Sequence, residues 1–519
     1  MKKRYIPLVA LGALSFLNAE VSLPNIFSDY MVLQRDQTDP IWGKADPGEK
    51  VQVTFGGQIL NTKADKNGQW RVELEPMPAG GPIDLFVKGE DNEIRINNVL
   101  IGEVWLCSGQ SNMGWTVNKA DDADIEKLMA NNPQIRLLNV PRKGTQDPQD
   151  DQAGKWTLCT PETVGDFSAV GYYFGRRLQE TLDVPVGLIN NAWGGSSAEA
   201  WVPRDLLDQD EQYQAHVDHW EEKSAEMTDE KFVEQKEQYQ VERAEWEANG
   251  KKGRGPRWPT DPRYNQHRAS NIYNGMVLPI VGYGVRGMIW YQGESNSGRY
   301  ASYEDLINLM VTNFREQWGQ GDFPFYFVQL ADFHAESEEP TNNNWAFLRE
   351  AQTKTMDSLE NSGQAVIIDV GEGRDIHPRN KKTVADRLAR WALANDYGYD
   401  IQYRSPQYAS MEVIDIPAEG DAPAGKAVEL TFDYVTDRGL YSFDTKDKIE
   451  GFAIAGEDKQ FVWADAKIIG KDKVHVWSAD VPEPVAVRYG WAINPVVNLQ
   501  DRSNGLPVTP FRTDDWPNE

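Results

Sequence analysis

Trp105-Leu106-Cys107-Ser108-Gly109-Gln110-Ser111-Asn112-Met113 joins a β-type run to a polar turn. An apolar β-type run, Val99 to Leu106, stops abruptly in small and polar residues that present Ser111. In α/β sheets ligands bind beyond the carboxyl ends of the strands, so a serine placed there can meet a substrate. Ser-Asn pairs are also ordinary turn residues, and the stretch gains its meaning from three others. These are Trp193-Gly194-Gly195, Tyr291-Gln292-Gly293-Glu294-Ser295-Asn296 and Asp375-Ile376-His377-Pro378, each following a short apolar run.

On either side of this stretch, apolar runs at 99–106, 135–140, 184–190, 285–291, 325–330 and 365–370 alternate with helical stretches at 167–182, 302–318, 345–360 and 379–394. That alternation predicts an α/β domain over residues 98–397, with a mainly parallel sheet covered by helices. Residues 206–254 interrupt it. They are dense in charge, and Phe232, Tyr239 and Trp246 fall seven apart, which predicts a helical hairpin packed over the core. Residues 20–97 and 398–519 read as β regions, with short alternating runs such as Val51–Phe55 and Val474–Trp477. A small β-sandwich-like domain is expected before the catalytic region and a second β domain after it.

The chain has 519 residues and a formal net charge of −27. Such a field disfavours nucleic acid and anionic membranes, which attract basic surfaces. It also repels anionic sugars mildly, so an anionic substrate needs local basic contacts; Arg263, Arg299 and Arg349 are candidates among which sequence does not choose. Residues 1–19 read as a secretory signal, with Lys2, Lys3 and Arg4 ahead of an apolar stretch too short to span a bilayer. The expected location is therefore periplasmic or extracellular. Two cysteines, Cys107 and Cys159, lack metal-site spacing; one disulfide is open to them in an exported protein.

Ester hydrolysis through a serine requires a base for the Oγ proton, donors for the oxyanion and usually an acid that orients the base. With six histidines the search for the base is short. His216 and His219 lie in the charged insertion, His475 in a distal strand, His267 before a helix and His334 in an acidic loop. His377 alone follows a strongly apolar run through a short glycine-containing loop and precedes a helix. Ser108, Ser196, Ser197 and Ser295 compete with Ser111, but none sits in a Gly-x-Ser-x-Gly elbow.

Gly109-Gln110-Ser111-Asn112-Met113, Ala192-Trp193-Gly194-Gly195, Trp290 to Asn296 and Ile376-His377-Pro378-Arg379-Asn380-Lys381 together resemble the blocks of the SGNH hydrolases, most closely the sialate O-acetylesterase branch. The resemblance implies a three-layer α/β core, Ser111 as nucleophile and His377 as base. It implies oxyanion donors from the Ser111 N–H, the Gly194-Gly195 turn and one side-chain amide, for which Gln292 and Asn296 compete and the Gln-Gly-Glu variant favours Gln292. The acid stays open between Asp375 and Glu294. Many SGNH enzymes carry aspartate three residues before the histidine, whereas here position 374 is Arg and the aspartate stands two before. Trp115, Trp193, Trp201 and Tyr291 are candidate glycan walls that equally suit a core. The implied reaction removes O-acetyl groups from sialic acid or another decorated glycan and requires no metal or organic cofactor. An acetyl-xylan deacetylase and a non-catalytic glycan-binding protein are the competing readings; oligomeric state is not legible.

Overall fold

The apolar runs become strands where two flanking strands or a helix layer can cover them. The computed structural model describes residues 20–417, 425–444 and 448–518; the expected signal at 1–19 lies outside the described residues. The sheet of the catalytic region is built from β1 (Glu93–Gly109), β2 (Asn132–Asn139), β3 (Trp156–Cys159), β4 (Val186–Ala192), β5 (Gly287–Tyr291), β6 (Phe325–Val328) and β7 (Ser362–Ala365). Their spatial order is β7-β6-β5-β1-β4-β2-β3. All neighbouring pairs are parallel except β2–β3. β1 is central, and its last eleven residues are buried without interruption, as a strand covered on both faces must be.

Helices α1 (Ala169–Leu182), α2 (Glu211–Ala225), α3 (Asp229–Ala248), α4 (Tyr303–Trp318), α5 (Asn344–Ser358) and α6 (Lys381–Asn395) supply the cover and the insertion. Alternation along the strands sorts the side chains. Leu106, Trp290, Phe325 and Phe327 pack with Leu306, Met310 and Phe314 of α4 and Leu348 of α5. Trp105, Ile289, Tyr326 and Leu188 pack with Phe174 and Leu178 of α1 and Leu388 and Trp391 of α6. The result is helices on both sides of one sheet. The final strand differs from the expected run at 365–370. β7 ends at Ala365 opposite Val328, the last residue of β6, so Val366–Ile368 continue buried with no ladder left to join.

The N-terminal β region is fused to this sheet. The first half of β1 pairs antiparallel with Gly80–Lys88, while Val32–Gln34 runs parallel to Leu100–Gly102 of the same strand. One strand therefore crosses residue 97. Glu103, fully buried on it, accepts from Arg35 Nε at 2.5 Å, Arg286 Nε at 3.0 Å and Tyr397 Oη at 2.9 Å. Burial alone would raise its pKa, but the two guanidinium groups hold it below the usual carboxylate range.

The insertion forms the two expected helices, with different footing. α2 buries Tyr213, His216 and Val217, whereas α3 buries only Tyr239, whose ring meets Trp258 of the returning segment at 4.8 Å. The C-terminal region forms two four-stranded antiparallel arrays, one holding Gln407–Ile416 and Gly425–Asp433, the other Phe452–Ala455 and Ala486–Tyr489, around a separate core. Cys107 and Cys159 are both buried and unpaired; burial raises both thiol pKa values, that of Cys159 to about 12.

Candidate active site

Register brings the motifs together. Gly109 at the end of β1 stands opposite Ala192 of β4 and Tyr291 of β5, so the chains carrying Ser111, Gly194 and Gln292 leave the sheet at one level. Gly109 has φ 128°, and a Cβ there would fall 2.3 Å from Tyr291 O, so only glycine fits this exit. Gln110 N–H then donates to Tyr291 O and Gly114 N–H to Gln110 O, both at 2.9 Å, closing a turn that leaves Ser111 partly accessible. Ser168, which caps α1 by accepting from Gly171 N–H, also donates to Met113 O at 2.6 Å and pins the far side of the turn.

Ser111 Oγ lies 2.8 Å from His377 Nε2. The imidazole is stacked on Trp115, with ring centroids 4.7 Å apart and planes 12° from parallel. Trp115 is itself fixed by its Nε1–H, which donates to Lys119 O at 2.9 Å. Asp375 Oδ1 accepts the backbone N–H of His377 at 2.9 Å and lies 3.4 Å from Nδ1. Partial burial pushes the imidazole pKa below its ordinary value, and the Asp375 carboxylate opposes this.

Glu294 has another partner. Its Oε1 accepts from Asn112 Nδ2 at 2.6 Å, and the same amide donates to Ile376 O at 3.0 Å. Lys381, fully buried at the start of α6, donates to Asn112 Oδ1 at 2.5 Å. Asn112 thus joins the serine turn, the histidine loop and the Gly293–Ser302 segment. Burial raises the Glu294 pKa and lowers that of Lys381 to about 7. Of the two acids left open by sequence, the one brought to His377 is Asp375; Glu294 braces the loops that carry the pair.

The side-chain amides expected at the oxyanion are elsewhere. Gln292 and Asn296 are fully buried. Gln292 Nε2 donates to Ser196 O at 3.1 Å and to Asn296 Oδ1 at 2.8 Å, and Asn296 Nδ2 donates to Glu199 Oε2 at 3.0 Å. With both hydrogens of Gln292 engaged inside the fold, neither residue faces an ester. Sequence could not show that Ser196, Glu199 and these amides meet. Gly194 is at the serine: a Cβ on it would come 3.3 Å from Ser111 Cβ. Gly195, at φ 74°, turns the chain beneath Gln266, and Ser295 Oγ–H donates to its carbonyl at 3.0 Å.

A second serine–histidine contact exists, Ser197 Oγ to His267 Nδ1 at 2.6 Å. Ser197 is 1% exposed, so a substrate cannot reach it. Trp201 and Tyr291 belong to the core, leaving Trp115 and Trp193 at the mouth. The three candidate arginines are engaged. Arg263 pairs with Asp261 and Asp229, Arg299 with Glu199, and buried Arg349 donates to four backbone carbonyls.

Comparison with known proteins agrees with this layout. The family described as carbohydrate esterase, sialic acid-specific acetylesterase matches residues 101–233 and 260–378, so the unmatched interval takes in the second half of the insertion and part of its return segment, and the match ends just past His377. Sialate O-acetylesterase of Mus musculus is 29% identical over 93% of this chain and 92% of that protein. Sialate O-acetylesterase of Homo sapiens is 30% identical over 74% of this chain and 73% of that protein. The crystal structure of a carbohydrate acetylesterase from Xanthomonas citri superposes with TM-score 0.79 at 35% identity, covering 96% of this chain and all of that one. An α/β fold with added β regions, a serine–histidine pair at its strand ends, and relatives aligned along most of the chain lead to one assignment: this protein belongs to the sialic acid-specific acetylesterase family of carbohydrate esterases and is a carboxylic ester hydrolase.

Proposed function

We propose that the chain is an exported serine esterase of the SGNH type that removes O-acetyl groups from sialic acids through an acetyl-enzyme on Ser111. The observation that carries this reading is the 2.8 Å contact between Ser111 Oγ and His377 Nε2, with Asp375 on the Nδ1 side. His377 takes the Oγ proton as the serine attacks the acetyl carbonyl carbon. The tetrahedral oxyanion is received by the backbone N–H groups of Ser111 and Gly194, which no backbone carbonyl among the described residues accepts. Collapse expels the sugar alkoxide, to which His377 returns the proton, and leaves acetyl-Ser111. A water deprotonated by His377 then releases acetate. Asp375 stabilises the imidazolium in each half.

The sialic acid assignment is supported by the likeness to the mouse and human sialate O-acetylesterases. The test is acetate release from O-acetylated sialic acid, acetylated xylan and p-nitrophenyl acetate, with quenched samples analysed by mass spectrometry. Acetylation of Ser111 and faster release from the sialoside are expected, while Ser111→Ala loses acetylation and activity together with its circular dichroism unchanged. Faster hydrolysis of neutral xylan leaves the mechanism and overturns the substrate. Wild-type turnover by Ser111→Ala overturns the mechanism.

A further inference from the structure

The wall beside the serine turn carries a cation with no counter-charge paired to it among the described residues. Arg142 follows β2 at the carboxyl end of the sheet, and it is exposed. Its Nη2 stands 3.7 Å from where a Cβ on Gly114 would lie. Gly114 closes the turn that holds Ser111, and residues three apart in such a turn are roughly 5–6 Å apart. One bound sugar can therefore meet both the guanidinium and the serine. Among the described residues Arg142 has no hydrogen-bonded, ion-paired or stacked partner, whereas Arg263, Arg299 and Arg349 are all engaged.

In a chain of net charge −27, an unpaired guanidinium at the mouth of the site needs a reason. The negative field repels an acidic sugar, and a local planar fork of donors offsets that repulsion where it matters. We propose that Arg142 is the residue that recognises the carboxylate of the substrate, pairing with it while the acetyl group lies on Ser111. This rests on the sialoside reading above and assigns specificity within it. Lys119, whose Nζ lies 5.2 Å from the Trp115 ring centroid on the histidine side, is the rival cation.

The experiment compares kcat/KM for O-acetylated N-acetylneuraminic acid with that for its C1 carboxamide, so that each variant is its own control for folding. The wild type should prefer the free acid about tenfold or more, the scale of a charge-assisted hydrogen bond. Arg142→Gln should bring the ratio near one, and Arg142→Lys should keep part of it, because a point charge lacks the fork. Lys119→Ala should leave the ratio standing. A wild-type ratio near one, an undiminished ratio in Arg142→Gln, or a ratio that collapses in Lys119→Ala instead overturns the assignment while sialosides remain substrates. Cleavage of acetylated xylan with neither sialoside touched overturns the sialoside reading as well, so the two failures are distinguishable.

Discussion

At the residue scale, the two carboxylates differ in what their loss removes. Asp375 is beside the imidazole and raises its pKa, whereas Glu294 acts on Asn112. Asp375→Asn should lower kcat on the order of 10³-fold, as loss of a triad carboxylate does. The acid limb of its kcat/KM profile should also move to lower pH, because the neutral amide no longer favours the imidazolium. Wild-type activity should itself persist below roughly pH 6.5, the ordinary histidine pKa, since burial depresses the group. Glu294→Gln should leave that limb in place and lower kcat less, because its amide oxygen still accepts from Asn112. pH–rate profiles of the three proteins decide; an unmoved limb in Asp375→Asn means the carboxylate does not act on His377. The meeting of Ser111 with His377 was legible because their chain contexts have no equal in the sequence. The roles of Gln292 and Glu294 were not, because which buried polar atoms face each other depends on segments about a hundred residues apart, as Gln292 and Ser196 are.

At the element scale, α6 begins on a buried charge. The Lys381 ammonium is held within the fold by Asn112 Oδ1, and burial lowers its pKa to about 7. The unfolded chain keeps that proton to roughly pH 10.4. Between these values the unfolded state binds more protons, so this group makes stability rise with pH between about 7 and roughly 10.4 and adds no slope below about 7, where both states carry the proton. Lys381→Met should flatten that slope in urea unfolding measured at pH 7 and pH 9; an unchanged slope would mean that the lysine does not titrate in the window. The alternation of runs placed a helix at 379–394, yet sequence could not show that the first residue of α6 points into the site. The insertion was legible as two helices, and of its seven-residue aromatic series Tyr239 is buried while Phe232 and Trp246 are half-buried. Its central ring, Tyr239, meets Trp258 of the return segment and is the only residue of α3 that is buried, whereas α2 buries Tyr213, His216 and Val217.

At the scale of the whole molecule, the N-terminal β region and the α/β layers are one hydrophobic body. Val51, Phe55 and Trp70 belong to the same core as Trp290, Phe314 and Leu348. Residues 20–92 should therefore not be removable: a chain starting at Glu93 exposes that core and leaves Glu103 without Arg35, and it should be insoluble instead of an active minimal domain. Soluble expression with retained p-nitrophenyl acetate turnover would refute this. Composition and periodicity gave the change from β text to α/β text near residue 97, but a change of pattern is not a break in the chain's hydrogen bonding. β1 reads as two segments because one half is covered on one face and the other half on both.

That shared strand also sets a timetable. Synthesis supplies β1 early, with Gly80–Lys88 already available to pair with its first half. Its flanking partners β4 and β5 follow only at residues 186–192 and 287–291. Until then the half that ends in the serine turn is an apolar edge on both sides, and pairings so distant in sequence form slowly and leave edges open to aggregation. The nascent chain therefore carries its future active site with both edges open for about eighty residues of growth and with one edge open for about a hundred more, and yield during expression should depend on holding that edge apart more than on the stability of the finished enzyme.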